Sequence, residues 1–393
     1  MTDDDKAELV RLASELIRRR SYSGEEKAVA EYIRDYMLEN GFDNAEFDGY
    51  GSVIGCIRGN EPGRTVLLDG HIDTVRADDE ALWKHGPFSA EIEDGKLYGR
   101  GASDMKGSVA CMIRAAIIFA RDCRKRFKGS VFVSCSVHEE CFEGIASLSI
   151  AEIVKPDFVI IGEATSGTLK IGQRGRAEIV VETQGVSCHS SNPEKGINAA
   201  YHMCRLVEHV RKAIPNEHAV LGKGISELTD LISEPFPGSS VVPARCIATF
   251  DRRTLVGEDE SSVLSQMDEA IACCKKEIPE LKAKAYVREA SADCWTGAVI
   301  KSKRYFPAWL QDEDSEIVIK SIRGLRRSGI DFTVSHFDFC TNGSGFAGML
   351  GIPCIGYGPS LENLAHVRDE FISLDDLHKA PKGFVAIISE LLA

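Results

Sequence analysis

The sequence is short of several features that would settle its class at once. No apolar run reaches the roughly 18 residues that cross a bilayer, so a membrane protein is not expected. The thirteen cysteines include no C-x-x-C pair, and their number is odd, which argues against a disulfide framework or a zinc knuckle. Adjacent Cys273-Cys274 fits no redox motif either. The cysteines read as reduced core residues of a cytoplasmic protein. Positive charge is in deficit, with 47 Lys and Arg against 60 Asp and Glu and a net charge of -13. That argues against nucleic acid or an anionic membrane as the main partner. The G-x-S-x-G elbow of serine hydrolases is missing. Cys188 beside His189 cannot serve as nucleophile and base, because adjacent strand positions point apart. No repeat or low-complexity segment occurs, and the opening MTDDDKAELV shows neither the basic region nor the apolar core of a signal peptide.

What is present is a soluble globular composition, 44% hydrophobic and 27% charged over 393 residues, enough for two or three domains. The stretch from Val66 to Gly107 carries the first chemistry. A buried-strand run, Val66–Leu68, ends in Gly70-His71-Ile72-Asp73, and Asp104 follows in a Gly-rich turn before an apolar helix over Gly107–Ala120. Later strands end the same way: Ser130–Val137 in His138-Glu139-Glu140, and Phe158–Ile161 in Gly162-Glu163. Strands alternate with helices, and strand ends are where α/β proteins place their sites. Ser23-x-x-Glu26 reads as a capping box opening the second helix.

The pattern changes after Arg174-Gly175. Strand, helix, two strands, helix and strand follow up to Arg288, the β-α-β-β-α-β order of a ferredoxin-like unit. The expectation is therefore an α/β fold: a mixed-sheet catalytic domain over residues 1–175 and 291–393 with helices on both faces, interrupted by an inserted domain over 176–290.

Five groups stand out as a set: His71, Asp104, Glu140, Glu163 and His366. Each singly reads as a turn or cap residue, but two imidazoles and three carboxylates gathered on one sheet edge suit a borderline metal such as Zn²⁺. One bridging carboxylate, with one His and one further carboxylate per ion, would build a two-metal site. Glu139 is then left beside a ligand, where a general base belongs.

The stretches GHIDTV (70–75), LYGRGASDMKG (97–107), HEE (138–140), GEAT (162–165), GVSCHSS (185–191), TNGSG (341–345) and AHVRDE (365–370) occur in order along the chain. In these the sequence resembles the co-catalytic metallopeptidase and deacylase family of N-acetylornithine deacetylase, succinyl-diaminopimelate desuccinylase, aminoacylase and the glutamate carboxypeptidases. GQRGR (172–176) and FPAW (306–309) look closest to a subgroup of hydrolases associated with selenium metabolism. The resemblance implies that His71 and Glu163 hold one metal, Glu140 and His366 the other, and that Asp104 bridges them through a residue followed by a cis peptide. It implies that Asp73 accepts a hydrogen bond from the far nitrogen of His71. It also implies hydrolysis of the amide bond of a small N-acyl amino acid by a metal-bridging hydroxide, with Glu139 as general base. The inserted domain would be a lid and dimerisation domain, with His189 reaching a partner's site in a homodimer. Arg253, Ser240, Asn342 and Gly343 would contact substrate, though many relatives have Asn at the Ser240 position. Two divalent ions are expected, Zn²⁺ first, with Co²⁺ or Mn²⁺ as substitutes. A dipeptidase or carboxypeptidase of the same family is the alternative activity, and a metal-free binding relative would belong to another class.

Overall fold

Residues Val66, Leu67 and Leu68 are all fully buried, yet they face two different cores. Val66 and Leu68 pack with Val131, Val133, Phe158 and Ile160 on one side. Leu67 packs with Ile54, Val159 and Ile161 on the other. Successive strand side chains point to opposite faces, so a strand covered on both sides must be apolar at consecutive positions. These runs form the middle of a mixed sheet in a computed structural model that describes every residue except Asp79, Ser166, Ile214 and Pro215.

Two compact units are present, one of Met1–Gln173, Ser291–Ile300 and Trp309–Ala393, the other of Arg174–Ala290 and Lys301–Ala308. In the first unit, the sheet runs in space through Asn44–Phe47, Val53–Arg58, Lys128–Ser136, Glu61–His71, Phe158–Ile161, Cys354–Gly356, Thr168–Gln173 and Trp309–Leu310. Strand Thr333–Phe337 also pairs with Thr168–Gln173. Four adjacent strands in the middle are mutually parallel: Lys128–Ser136, Glu61–His71, Phe158–Ile161 and Cys354–Gly356. Their carboxyl ends therefore open on one edge, the usual place for a site in an open α/β sheet. Helices Asp3–Arg18, Lys27–Glu39, Lys106–Asp122, Glu316–Arg327 and Leu374–Leu391 supply residues to the larger core. Helix Ile145–Val154 supplies the smaller core on the opposite face.

The second unit is an antiparallel sheet ordered Ile225–Glu234, Arg245–Thr254, Gly175–Gln184 and Lys282–Val287. Helices Ala199–Lys212 and Glu260–Glu277 cover one face, burying Ile179, Val181, Met203, Leu206, Phe250, Met267 and Ile271 together. Numbered along the chain, the strand order is 2-3-1-4, the ferredoxin-like arrangement. Lys301–Ala308 joins this unit, although the sequence reading placed it with the rest of the C-terminal part. Tyr305 and Phe306 pair with Ala177 and Arg176, so the chain returns to extend this sheet before rejoining the other.

Two local readings change. The second helix opens at Lys27 with no side-chain cap, because Ser23 and Glu26 are engaged elsewhere. A capping box does form, one helix earlier, where the Thr2 hydroxyl accepts from Asp5 N–H and the Asp5 carboxylate accepts from Thr2 N–H. The TNGSG stretch runs into a wide helical turn that begins within it, Ser344–Met349, and the strand expected over residues 352–357 shortens to Cys354–Gly356.

Candidate metal centre

Each parallel strand delivers its residues directly. Glu61–His71 ends on His71 itself, Lys128–Ser136 runs out two residues before His138, and Phe158–Ile161 two residues before Glu163. Asp104 comes from the turn before helix Lys106–Asp122, and its peptide to Met105 is cis. His366 lies in the loop after Cys354–Gly356, with a positive φ of 63°.

The Asp104 carboxylate divides its oxygens between two histidines. Oδ1 is 3.1 Å from His71 Nε2, and Oδ2 is 3.1 Å from His366 Nε2. Glu163 Oε1 stands 3.4 Å from His71 Nε2, and Glu140 Oε2 is 3.0 Å from His366 Nε2. Glu139 Oε2 is 3.9 Å from His71 Nε2. Ligand atoms of His71, Asp104 and Glu140 lie within 4.8 Å of one another, as do those of His71, Glu139 and Glu163. His71, Glu139 and Glu163 are buried, whereas the His366 side chain is 53% exposed and forms the open side.

The hydrogen bond behind His71 fixes how its ring is turned. Nδ1 is 2.8 Å from the Asp73 carbonyl oxygen, which can only accept, so Nδ1 carries a proton and Nε2 is the nitrogen that would face an ion. This corrects the expected carboxylate partner, since Asp73 Oδ1 is farther away, at 3.5 Å. The fully buried Asp73 carboxylate does a different job. It accepts the N–H groups of Glu139 at 3.0 Å and Glu140 at 3.2 Å, and the Ser23 hydroxyl at 2.7 Å.

Charge in the centre is unbalanced. Burial, together with neighbouring carboxylates, raises Glu139 well above its ordinary range, pushes Glu140 up to about 7 and raises Glu163. Asp104 and Glu140 raise His366 to about 10. Burial opposes the Asp104 charge, but His366 and His71 pull its carboxyl well below the usual range. Four carboxylates thus crowd two imidazoles in a site of low dielectric, where like charges destabilise one another. Glu139 Oε1 is buried with no hydrogen-bond partner among the described residues. A nitrogen and oxygen donor set with excess negative charge fits two divalent ions.

The other expected site residues have local partners of their own. Asn342 is buried and spends its side chain internally: Nδ2 donates to Asp69 at 2.9 Å and Ser136 at 2.7 Å, and Oδ1 accepts from Gly144 N–H at 3.0 Å. Gly343 N–H donates to Thr341 Oγ1 at 3.0 Å. Both were expected to meet substrate; the Asn342 side chain ties the TNGSG turn to strands Glu61–His71 and Lys128–Ser136, while the Gly343 bond stays within the turn. In the second unit His189 is exposed and bridges to Val241, and Ser190 N–H donates to the Ser240 carbonyl at 2.9 Å, so His189 and Ser240 sit on adjoining loops. Arg253 Nε is 2.8 Å from Asp251 Oδ1, opposite Arg176, which takes the other oxygen at 2.8 Å.

Sequence reasoning missed Ser23, Glu26, Arg100 and Glu370, all around this centre. Glu26 is fully buried, accepts from Gly24 N–H at 2.8 Å, and is pushed up to about 8 by burial and by Asp73. The signals were in view: Ser23 and Glu26 as a helix-cap pattern, Arg100 and Glu370 as unassigned members of matching stretches.

Residues 67–390 match the model of peptidase family M20/M25/M40. The chain is 33% identical over 377 residues to the uncharacterized protein YgeY of Escherichia coli (strain K12), covering 93% of this chain and 90% of that one. It is 30% identical over 256 residues to succinyl-diaminopimelate desuccinylase 2 of Ruegeria sp. (strain TM1040), covering 62% and 64%. Among solved structures it superposes with a TM-score of 0.72 on the YXEP protein of Bacillus subtilis, a dinuclear metal-binding peptidase of the M20 family, at 14% identity and 100% coverage of both chains.

Proposed function

The chain belongs to peptidase family M20/M25/M40 and is a metal-dependent hydrolase of amide C–N bonds, and from that premise we propose that it removes the acyl group from a small N-acyl amino acid. The divided Asp104 carboxylate, with one oxygen 3.1 Å from each histidine, supports a two-metal site, and the likeness to a succinyl-diaminopimelate desuccinylase supports the choice of an N-acyl amino acid. His71 and Glu163 would hold one ion, His366 and Glu140 the other, and Asp104 both. Bound there, two divalent ions, Zn²⁺ first and Co²⁺ or Mn²⁺ as substitutes, supply Lewis acidity that polarises a carbonyl and acidifies water.

The chain's own groups do the rest. Glu139 is buried beside the candidate ligands, and its Oε1 has no hydrogen-bond partner among the described residues, which suits a base. It takes one proton from the attacking water as the oxygen adds to the amide carbon. It then gives that proton to the nitrogen as the C–N bond breaks, and the second proton of the water passes to the released amine, leaving a carboxylate and an ammonium group. Asp73 fixes the main chain of Glu139 and Glu140 while this happens.

Arg253 is proposed to meet the substrate carboxylate, supported by its partly exposed place beside Asp251. His189 and Ser240 are proposed as further contacts, and the second unit as lid and dimerisation surface. Strand Ile225–Glu234 is a sheet edge, and Leu231, Ile232, Phe236 and Tyr201 nearby in sequence or on the adjoining helix are exposed. Unpaired edges with apolar side chains invite strand pairing with a second copy. All thirteen cysteines are free thiols, which supports a reducing, cytoplasmic setting. Among the described residues, no helix is long and apolar enough to cross a membrane.

The test is amine release from N-acetyl and N-succinyl amino acids and from dipeptides, using metal-stripped protein restored with Zn²⁺, Co²⁺ or Mn²⁺. The proposal expects metal-restored turnover of an N-acyl amino acid. Turnover confined to dipeptides would replace it with the peptidase reading.

A further inference from the structure

We propose that Glu370 and Arg100 form a positioning pair that holds Asp104 and His366 in place, a role that rests on the two-metal reading above. Glu370 is fully buried and Arg100 is 4% exposed, so both charges have left water. A buried ion pair is weak evidence for stability, since packed apolar residues often serve as well. An apolar pair could not do what this carboxylate does. Glu370 Oε1 accepts two successive main-chain N–H groups, from Ser103 at 2.8 Å and from Asp104 at 3.0 Å. Its Oε2 accepts from Arg100 Nη1 at 2.7 Å. Arg100 Nη2 then reaches towards the His366 carbonyl oxygen, at 3.5 Å.

The pair therefore joins the segment that carries Asp104 to the segment that carries His366. Further contacts keep the two in register. Gly99 N–H donates to the Glu370 carbonyl at 2.8 Å, Phe371 and Ile372 pair with Tyr98 and Leu97, and the hydroxyls of Ser103 and Ser360 lie 2.7 Å apart. Asp369, one residue before Glu370, accepts from Lys84 N–H at 2.8 Å and His85 N–H at 3.1 Å. The Arg100 guanidinium lies over the Trp83 ring, 5.2 Å from its centroid, which restricts how it can turn.

The centre uses this device twice. Asp73 grips the consecutive N–H groups of Glu139 and Glu140; Glu370 grips those of Ser103 and Asp104. In each case a buried carboxylate sets the main chain of a residue whose side chain faces the metals. Groups of this kind behind a ligand typically change metal affinity or activity 10–100-fold when altered. Glu370 is buried and spends both oxygens on Ser103, Asp104 and Arg100, so its role is to position.

The experiment is a calorimetric Zn²⁺ titration of metal-stripped wild type, Glu370→Gln, Arg100→Met and Arg100→Lys, with melting curves of the stripped proteins and kcat and KM of the restored ones. Wild type is expected to take two ions. Glu370→Gln and Arg100→Met should bind at least one ion about 10–100-fold more weakly, with kcat reduced and KM changed less than about threefold. Arg100→Lys keeps a cation on Glu370 and should recover most of the lost affinity. If Glu370→Gln does not melt cooperatively, the comparison of Arg100→Met with Arg100→Lys decides. Two ions bound with wild-type affinity by Glu370→Gln and Arg100→Met would overturn the inference alone. A wild type that takes up no Zn²⁺ would bring down the two-metal reading and this inference together.

Discussion

Replacing Asp73 by Asn removes one charge and changes almost nothing in shape, and its cost can be worked from three hydrogen bonds. In the native protein Oδ1 accepts from Glu139 N–H at 3.0 Å, while Oδ2 accepts from Glu140 N–H at 3.2 Å and from the Ser23 hydroxyl at 2.7 Å. Asn offers one oxygen. If that oxygen stays with Glu139, the NH₂ group faces the Glu140 N–H, donor against donor, and a buried donor is left unsatisfied at about 1–3 kcal/mol. The Ser23 hydroxyl can rotate and accept, so that bond survives. The bond to Glu139 loses its charge assistance, about 1 kcal/mol more. Burial works against the native Asp73 charge, but the His71 imidazole overrides it and the carboxyl stays below its ordinary range, so losing the charge is a net cost. The sum is about 2–4 kcal/mol. Ser23→Ala removes a single hydrogen bond donated to Asp73, without any clash, and should cost only about 1 kcal/mol. Urea unfolding of the metal-stripped proteins measures both, and Zn²⁺ titration of the variants should show weaker binding by about 10–100-fold for Asp73→Asn. An Asp73→Asn protein as stable as Ser23→Ala, with unchanged metal affinity, would refute the argument that this carboxylate holds the Glu139-Glu140 main chain.

Two further outcomes follow from features outside the centre. Asp5 accepts from Arg114 and Arg121, both at 2.8 Å, and although burial would raise its carboxyl, Arg121 and Thr2 hold it well below the usual range. Because the folded value is depressed, its contribution is complete above the unfolded value of about 3.9 and fades as pH falls through the folded one. Asp5→Asn should therefore lower stability by about 2–3 kcal/mol at neutral pH, with the two melting curves converging in acid. Gly51 has φ of 102°, and an added Cβ would sit 2.1 Å from Trp295 Nε1. Gly51→Ala should cost about 2–4 kcal/mol, whereas Gly41→Ala, at φ of 100° in open space, carries only the backbone strain of about 1 kcal/mol; thermal unfolding of the pair separates clash from conformation.

Residues that carry chemistry at strand ends were legible because two local signals coincide there, an apolar run and an acidic or imidazole group just after it. His71, Glu140 and Glu163 could be singled out that way, Asp104 by its Gly-rich turn before an apolar helix, and the ferredoxin-like order of the second unit could be read from alternating element types. What escaped depends on partners distant in sequence. Ser23 and Glu26 have the spacing of a helix cap, and nothing within four residues reveals that Ser23 instead reaches Asp73, fifty positions away. Asn342 looked like a substrate contact in a Gly-rich turn; its three side-chain bonds to Asp69, Ser136 and Gly144 exist only once the sheet has formed. Strand Thr168–Gln173 has Lys170 and Gln173 buried among its apolar residues, which hides its pattern. Lys301–Ala308 was assigned by adjacency in sequence, but its place is set by pairing with the strand that begins at Gly175.

Glu139 is proposed to move the proton at a two-metal site without holding a metal itself. The most direct test is Glu139→Gln, prepared metal-free, titrated with Zn²⁺ and assayed for amine release on the best N-acyl amino acid. Gln preserves the size of the side chain and removes only its ability to take a proton. Two ions per chain, bound as in wild type, and turnover reduced by about 10²–10⁴-fold are expected. A variant that keeps wild-type turnover, or that loses an ion along with its activity, would contradict that role.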